Sequence, residues 1–446
     1  MSQTIQSGAV LHDFGEGLIM RRSTPADADR LAEFNGKIHG DNPKDAAGLE
    51  AWTRDLLQRP HPTFGSDDFL LVEDTATGNI VSSLNLISQT WMYEGIPFKV
   101  GRPELVGTDP AYRKRGLVRR QFEEIHRWSQ ERGELVQVIT GIPNFYRQYG
   151  YEMGLNLGGG RSGYEPQLPR LKEGESDPYR VRTATEADLP WLLQMYARET
   201  RYSMVSARVD ESVMRYEIDG KSKDNVNRWV PCVIEAADGR PVGYLMHAAG
   251  MWGTAMAVTR YALAEGESYL AVTPSVARFL WETGQVLATE WERKMELFHF
   301  ALGAEHPAYR AFGDRLPRER KPYAFYVRVP DLPAFMRVIA PVLEQRLNES
   351  VCAGHSGEVK ISFYRKGLRL VFEKGRLVTA EDWRPVVKDD EGAAAFPDLT
   401  FLQLVFGYRS LEEIRAAYAD CWAGPETAVV LDALFPRKAS NTWAIS

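Results

Sequence analysis

The chain has 446 residues, 44% of them hydrophobic and 26% charged, with a formal net charge of −6. That length exceeds one ordinary core and predicts about two to four domains. An acidic balance argues against a nucleic-acid binder, which carries a basic excess. No run approaches roughly eighteen apolar residues, so neither a transmembrane helix nor a membrane partner is expected. The opening segment MSQTIQSGAVLHDFGEG lacks the basic and then apolar pattern of a secretory leader. Cys232, Cys352 and Cys421 are far apart and lack metal-ligand spacing. These features predict a cytoplasmic protein without a metal centre.

In chain order, residues 20–22 predict a strand, Ser23 or Thr24 an N-cap, and the acidic turn after it a helix. Residues 181–190 repeat that pattern. A second echo pairs residues 145–150 with 308–313, at an offset that agrees within a couple of residues. Two whole domains are therefore read as a duplication. Residues 105–108 predict a strand, Asp109-Pro110 a turn, and the residues up to about Arg132 a helix. Between Gly107 and Arg120 there are five Lys/Arg against one Asp. A helix N-terminus carries unpaired N–H groups and partial positive charge, and Gly116 lets a phosphate approach the backbone closely.

His126, in mid-helix, reads as surface or packing. Residues 135–140 predict the next strand, followed by Tyr146 within residues 144–151, where Tyr149 and Tyr151 read as packing. The Gly-rich residues 158–163 and the Pro- and charge-rich stretch to 178 read as a connection, part of it available as an edge strand of the first domain. In the second copy, residues 271–278 offer no glycine matching Gly116, which assigns phosphate binding to the first copy alone. Residues 358–364 and 368–373 predict a hairpin. Residues 401–407 predict a helix ending at Gly407, and Ser410 with Glu413 a capping box for the next one.

The spacing Arg113-x-x-Gly116-x-Val118 after a strand resembles the Arg/Gln-x-x-Gly-x-Gly/Ala signature of the Gcn5-related N-acetyltransferases (GNAT). Val118 departs from the last signature position, and with Arg119 it is similar to the form found in the Eis (enhanced intracellular survival) acetyltransferases. The tripartite order resembles that family along the whole chain. It implies an α+β fold with mixed sheets: two tandem GNAT-like domains and a sterol-carrier-protein-like domain. Residues 1–160 would be catalytic, 176–335 a degenerate copy, and 336–446 the sterol-carrier-like unit.

The resemblance implies acetyl-CoA as cosubstrate and a primary amine as acceptor: an aminoglycoside, a polyamine or a lysine side chain. It also implies direct attack in a ternary complex and a homo-oligomer of hexameric type. Carried over by position, Val106, Gly107 and Thr108 hold the pantetheine arm and Arg113, Lys114, Arg115, Gly116, Leu117, Val118 and Arg119 the pyrophosphate, while Gly141 and Ile142 flank the acetyl end. Tyr146 becomes the general acid, since a phenol with a pKa near ~10 suits protonation of a thiolate. The α-carboxylate of Ser446 becomes the base, with Glu104 as its substitute. The acceptor region falls on Phe34, His39, Asp41, Asp45, Trp91 and Tyr93. The alternative from another class is a non-catalytic acyl-CoA or lipid-binding protein.

Overall fold

The computed structural model describes residues 8–386, 390–397 and 399–446, so the first seven residues of the opening segment lie outside it. The chain builds three sheets in an α+β arrangement. The first has nine strands. These are β1 (Val10–Gly15), β2 (Leu18–Arg22), β3 (Phe69–Asp74), β4 (Asn79–Tyr93), β5 (Ile96–Thr108), β6 (Val136–Ile139), β7 (Glu152–Leu157), β10 (Val205–Ala207) and β16 (Tyr323–Arg328). Helices α1 (Ala28–His39), α2 (Pro43–Gln58) and α3 (Leu117–Glu131) accompany it.

The second sheet holds β8 (Gly160–Tyr164), β9 (Tyr179–Thr183), β11 (Trp229–Ala236), β12 (Pro241–Ala248), β13 (Ala255–Leu263), β14 (Leu297–Phe300) and β15 (Arg318–Arg320). With it come α4 (Leu189–Thr200), α5 (Glu211–Arg215), a π-helical turn (Tyr216–Gly220), α6 (Tyr269–Glu290) and α7 (Pro307–Phe312). The third sheet comprises β17 (Gly357–Ser362), β18 (Gly367–Glu373), β19 (Arg376–Trp383), β20 (Ala394–Ala395) and β21 (Trp422–Ala423). Helices α8 (Leu332–Asn348), α9 (Phe401–Val405), α10 (Leu411–Ala417) and α11 (Pro425–Leu434) belong to this last part. Among the described residues, no helix is long and apolar enough to cross a membrane.

The repeated N-terminal pattern repeats atom by atom. Arg21 donates from both Nη atoms to Asp27 and from Nε to Glu73 (3.0 Å). Arg182 does the same to Asp188 and, from Nε, to Glu235 (2.7 Å). Each aspartate also closes a capping box, with Thr24 or Thr185. Such a bidentate pair fixes the angle between strand and helix. The Ser410–Glu413 box that starts α10 is present as well.

The two first sheets exchange strands. β16 lies between β6 and β7 of the first sheet, and β8 pairs with β14 and β15 of the second. The Gly-rich stretch is thus neither a connection nor an edge strand of the first sheet. Its glycines serve close backbone approach instead. A Cβ on Gly160 would lie 2.0 Å from the Phe300 carbonyl oxygen, and one on Gly163 would lie 2.2 Å from the Phe298 ring.

Trp91 and Tyr93 also depart from expectation. β4 runs on past the first core, and its far end packs with Phe335, Ile339 and Phe406 of the C-terminal part. Tyr93 donates to the Val405 carbonyl (2.6 Å). Both aromatics are therefore core residues of the junction between the first and third sheets. Phe34 likewise belongs to the core between α1, α2 and the first sheet.

Candidate active site

β5 and β6 pair in parallel only at Val100–Val136 and Gly101–Gln137, and beyond that point they part. A bulge sits on the free stretch of β5. Ser83 faces Gly107 and Asn85 faces Glu104, leaving Leu105 and Val106 opposite one residue of β4, with Leu105 at φ +51°. A bulge frees backbone groups from the ladder and re-aims the strand. Gly107 has no room for a side chain, because a Cβ would lie 2.7 Å from Ile38 and 2.9 Å from His39 Nε2. Burial pushes the His39 imidazole below its ordinary pKa. Asp41 is exposed, and Asp45 pairs with Arg293 of the second copy at 3.5 Å.

After β5, Asp109 caps a short turn and pairs with Lys37 (2.9 Å), and α3 begins at Leu117. Gly116 is its N-cap in a left-handed conformation (φ +77°), with open space where a Cβ would point. The first helical hydrogen bond runs from Arg120 N to Gly116 O. The N–H groups of Leu117, Val118 and Arg119 precede it, and Arg113, Lys114, Arg115 and Arg119 are exposed around them. This is an anion cradle of backbone donors ringed by cations.

At the end of β6, Gly141 (φ +122°) turns the chain, with Ile142 exposed beside it. A Cβ on Gly141 would lie 3.6 Å from the Tyr146 hydroxyl. Tyr146 is 4% exposed, and its ring packs on Phe122 and on Tyr326 (5.5 Å between centroids). Its hydroxyl forms no hydrogen bond among the described residues. Burial, and then the nearby Glu104 carboxylate, push this phenol well above its ordinary pKa, so it stays protonated. Tyr149 stacks on Phe122 (4.4 Å), and Tyr151 is fully buried and hydrogen-bonded to His126 (2.9 Å). Both tyrosines pack as expected. Burial lowers His126 to about 3, which fits a packed neutral imidazole.

Tyr326 is a site residue that the sequence reading missed. It arrives on the exchanged strand β16 and accepts a hydrogen bond from Asn144 N (2.6 Å), fixing the turn that carries Tyr146. No local signal in residues 323–328 says which sheet they join.

The C-terminal tail is docked. Ser440 and Thr442 bond both backbone groups of Val205, at 3.0 and 2.8 Å. Trp443 packs against Trp229 and Trp252. Gln89 and Arg102 donate to the Ile445 carbonyl, at 2.7 and 2.9 Å. Arg102 also pairs with Glu104 at 2.6 Å, so Glu104 is an ion-paired carboxylate rather than a solvated one. Ser446 is 4% exposed. One guanidinium thus ties the tail to the carboxylate that acts on Tyr146. Cys232 and Cys421 are buried, and burial pushes their thiols up to about 12 and 11.

Residues 20–154 match the acetyltransferase (GNAT) domain family. No curated protein matches the chain. Three solved structures align along nearly its whole length. A conserved protein of unknown function from Enterococcus faecalis V583, described as a probable N-acyltransferase, is 12% identical, with 95% of this chain and 97% of that one covered and a TM-score of 0.61. A GCN5-related N-acetyltransferase from Kribbella flavida is 18% identical, with 95% and 97% covered and a TM-score of 0.60. Eis1 from Mycobacterium abscessus is 13% identical, with 96% and 99% covered and a TM-score of 0.58. At such identities the likeness is one of fold. The chain therefore contains a GNAT acetyltransferase domain, set in an α+β fold that extends end to end through these structures.

Proposed function

We propose that the protein is an acetyl-CoA-dependent N-acetyltransferase acting on primary amines by direct transfer in a ternary complex. The observation that carries this reading is the Tyr146 hydroxyl: on a buried ring, protonated and without a hydrogen-bond partner among the described residues, beside Gly141 where β5 and β6 part. In this reading residues 1–160 are the catalytic unit, 176–335 a degenerate copy and 336–446 a sterol-carrier-like unit, with β8 and β16 exchanged between the first two. The same reading carries a hexameric assembly with it.

Acyl transfer needs a positioned thioester, a neutral amine and a proton for the departing thiolate. The Leu117, Val118 and Arg119 N–H groups, with Arg113, Lys114, Arg115 and the open face of Gly116, hold the pyrophosphate. Val106, Gly107 and Thr108 offer their backbone edge to the pantetheine arm, and Gly141 and Ile142 border the acetyl group. The amine nitrogen attacks the thioester carbonyl carbon, so a C–N bond forms as the C–S bond breaks. The Ser446 α-carboxylate accepts the amine proton, and Tyr146 gives its proton to the sulfur. Cys232 and Cys421, buried and held as thiols, offer no acyl-enzyme route.

The test is coenzyme A release from acetyl-CoA with a panel of amines, for the intact chain, Tyr146→Phe, Glu104→Gln and a chain lacking residues 443–446. Amine-dependent release that falls in the tyrosine and tail variants supports the assignment. Release that survives tail removal and falls in Glu104→Gln moves the base to Glu104. Tight acetyl-CoA binding with no release favours the binding-protein alternative.

A further inference from the structure

Resting on the acetyltransferase reading, we infer that the acceptor is a monoamine with an apolar or aromatic body, not a polycation. A cavity of about 50 Å³ lies where the first copy, the second copy and the C-terminal tail meet. Gln89 and Thr90 of β4 form one side, helices α4 and α5 with strands β11–β13 the other, and residues 443–445 of the tail a third. Gln89 also holds the tail through the Ile445 carbonyl, so the cavity borders the docked terminus directly.

Its walls are apolar and aromatic. Trp229 and Trp443 meet edge to face at 5.3 Å, and Tyr196, Met214 and Met246 complete the surface. Large aromatic faces and thioethers suit an apolar body and contribute mainly by area.

The charges point the same way. The ionisable lining groups that carry charge are Glu217, Arg208 and Arg260. Both Glu217 oxygens accept from the buried Lys221 ammonium, at 2.9 and 2.7 Å. Arg260 faces Glu199 at 3.5 Å and lies 4.6 Å from the centre of the Tyr196 ring. The one lining carboxylate therefore already has its cation, Arg260 has its own carboxylate behind the wall, and Arg208 adds a further positive charge at the exposed rim. An acceptor with several ammonium groups would lose their hydration without gaining an unmatched carboxylate, and a buried unpaired charge is strongly unfavourable. A single amine needs only the terminal carboxylate that takes its proton.

Coenzyme A release should be compared for 2-phenylethylamine, hexylamine, ethylamine, spermidine and kanamycin with the intact chain and saturating acetyl-CoA. The expected result is a kcat/KM for phenylethylamine and hexylamine at least about tenfold above that for spermidine or kanamycin, matching one poorly desolvated charge. Trp229→Ala should lower the phenylethylamine-to-ethylamine ratio about tenfold through KM. Arg208→Glu, a change at the exposed rim, should move the ratio about tenfold toward spermidine. Polycations used as well as or better than the monoamines would overturn the inference while leaving the acetyltransferase standing. A Trp229→Ala enzyme with unchanged ratios would also overturn it. No release with any of the five amines would remove both readings together.

Discussion

The first and second copies share their scaffold and differ in what they leave unspent. Both carry the Arg–Asp–Glu network at the first helix, and both bulge the strand that precedes the split. In β13 the extra residue is Thr259, between the Met246–Arg260 and His247–Val258 pairs. Both place a tyrosine in the turn after the last parallel strand. In the second copy that hydroxyl is used up. Tyr309 Oη accepts from Leu302 N (3.2 Å) and lies 3.1 and 3.0 Å from the Phe300 and Gly303 carbonyl oxygens. β13 and β14 pair through four residues where β5 and β6 pair through two. Helix α6 begins after Ser268 at φ −95°, with no counterpart of the left-handed Gly116. His306 borders the split, bonded to the Tyr261 carbonyl (2.9 Å) and stacked on its ring. The same scaffold thus leaves its turn hydroxyl uncommitted in one copy and bonded in the other, and on the proposed reading only the first is free to give up a proton.

The sharpest way to break that contrast is a matched pair of hydroxyl deletions. Tyr146→Phe removes a proton donor that bonds nothing in the resting protein, so kcat should fall on the order of 10²–10³-fold with stability nearly unchanged. Tyr309→Phe should leave kcat within about twofold and cost about 1–3 kcal/mol of stability, because the Leu302 N–H loses its acceptor and one of the two facing carbonyls its donor. Steady-state rates and urea unfolding of both variants check this. Equal rate losses in the two would erase the functional difference between the copies.

The second contrast is between the helix starts. Gly116→Val forces a β-branched residue into a left-handed conformation and points its side chain into the open space over the cradle. The strain costs about 1–2 kcal/mol, and the blocked approach adds to it. KM for acetyl-CoA should rise about thirtyfold with kcat little changed. Ser268→Val, at the matching position in the second copy, should leave that KM within about twofold. Acetyl-CoA titration of initial rates reads both.

What the sequence disclosed and what it hid divide along the same line. Local chemistry was legible. The N-caps at Thr24 and Thr185, the capping box at Ser410, the Gly116 helix start and the Tyr146 turn all depend on residues within a few positions of one another. Long-range partners were not. The exchange of β8 for β16 is decided by which sheet edge is open. Glycines that permit close packing against Phe298 and Phe300 look the same in sequence as glycines of a connection. Trp91 and Tyr93 had the composition of a cation pocket, yet the length of β4 carried them into the core shared with α8 and α9. The echo of residues 145–150 in 308–313 was equally visible in both copies, while the bonds that silence Tyr309 come from backbone atoms before the turn. The tail offered only Trp443 as a hint. Its aromatic partners, Trp229 and Trp252, lie far back in the chain.

The smallest expected effect concerns the imidazole that borders the second split. His306 is bonded in its neutral form at both nitrogens: Nε2 meets the Tyr261 carbonyl, and Nδ1 accepts from Ala308 N (3.2 Å) at the start of α7. Burial lowers it to about 4, against ~6.5 in an unfolded chain. Because the folded value lies below the unfolded one, the unfolded chain binds the proton first as pH falls. The contribution is therefore fully present above about pH 6.5 and is lost progressively as pH falls toward about 4. A single group of this kind should account for about 1 kcal/mol between pH 7 and pH 5.5. His306→Asn keeps an acceptor for Ala308 N and removes the titration. Urea unfolding at the two pH values should show the wild type losing about 1 kcal/mol more than the variant, with acetyl transfer at pH 7.5 unaffected in both. An equal loss in the two proteins would mean that His306 is already charged, or already out of the split, near neutral pH. The contrast between the two copies would then rest on the Tyr309 hydroxyl and the missing glycine alone.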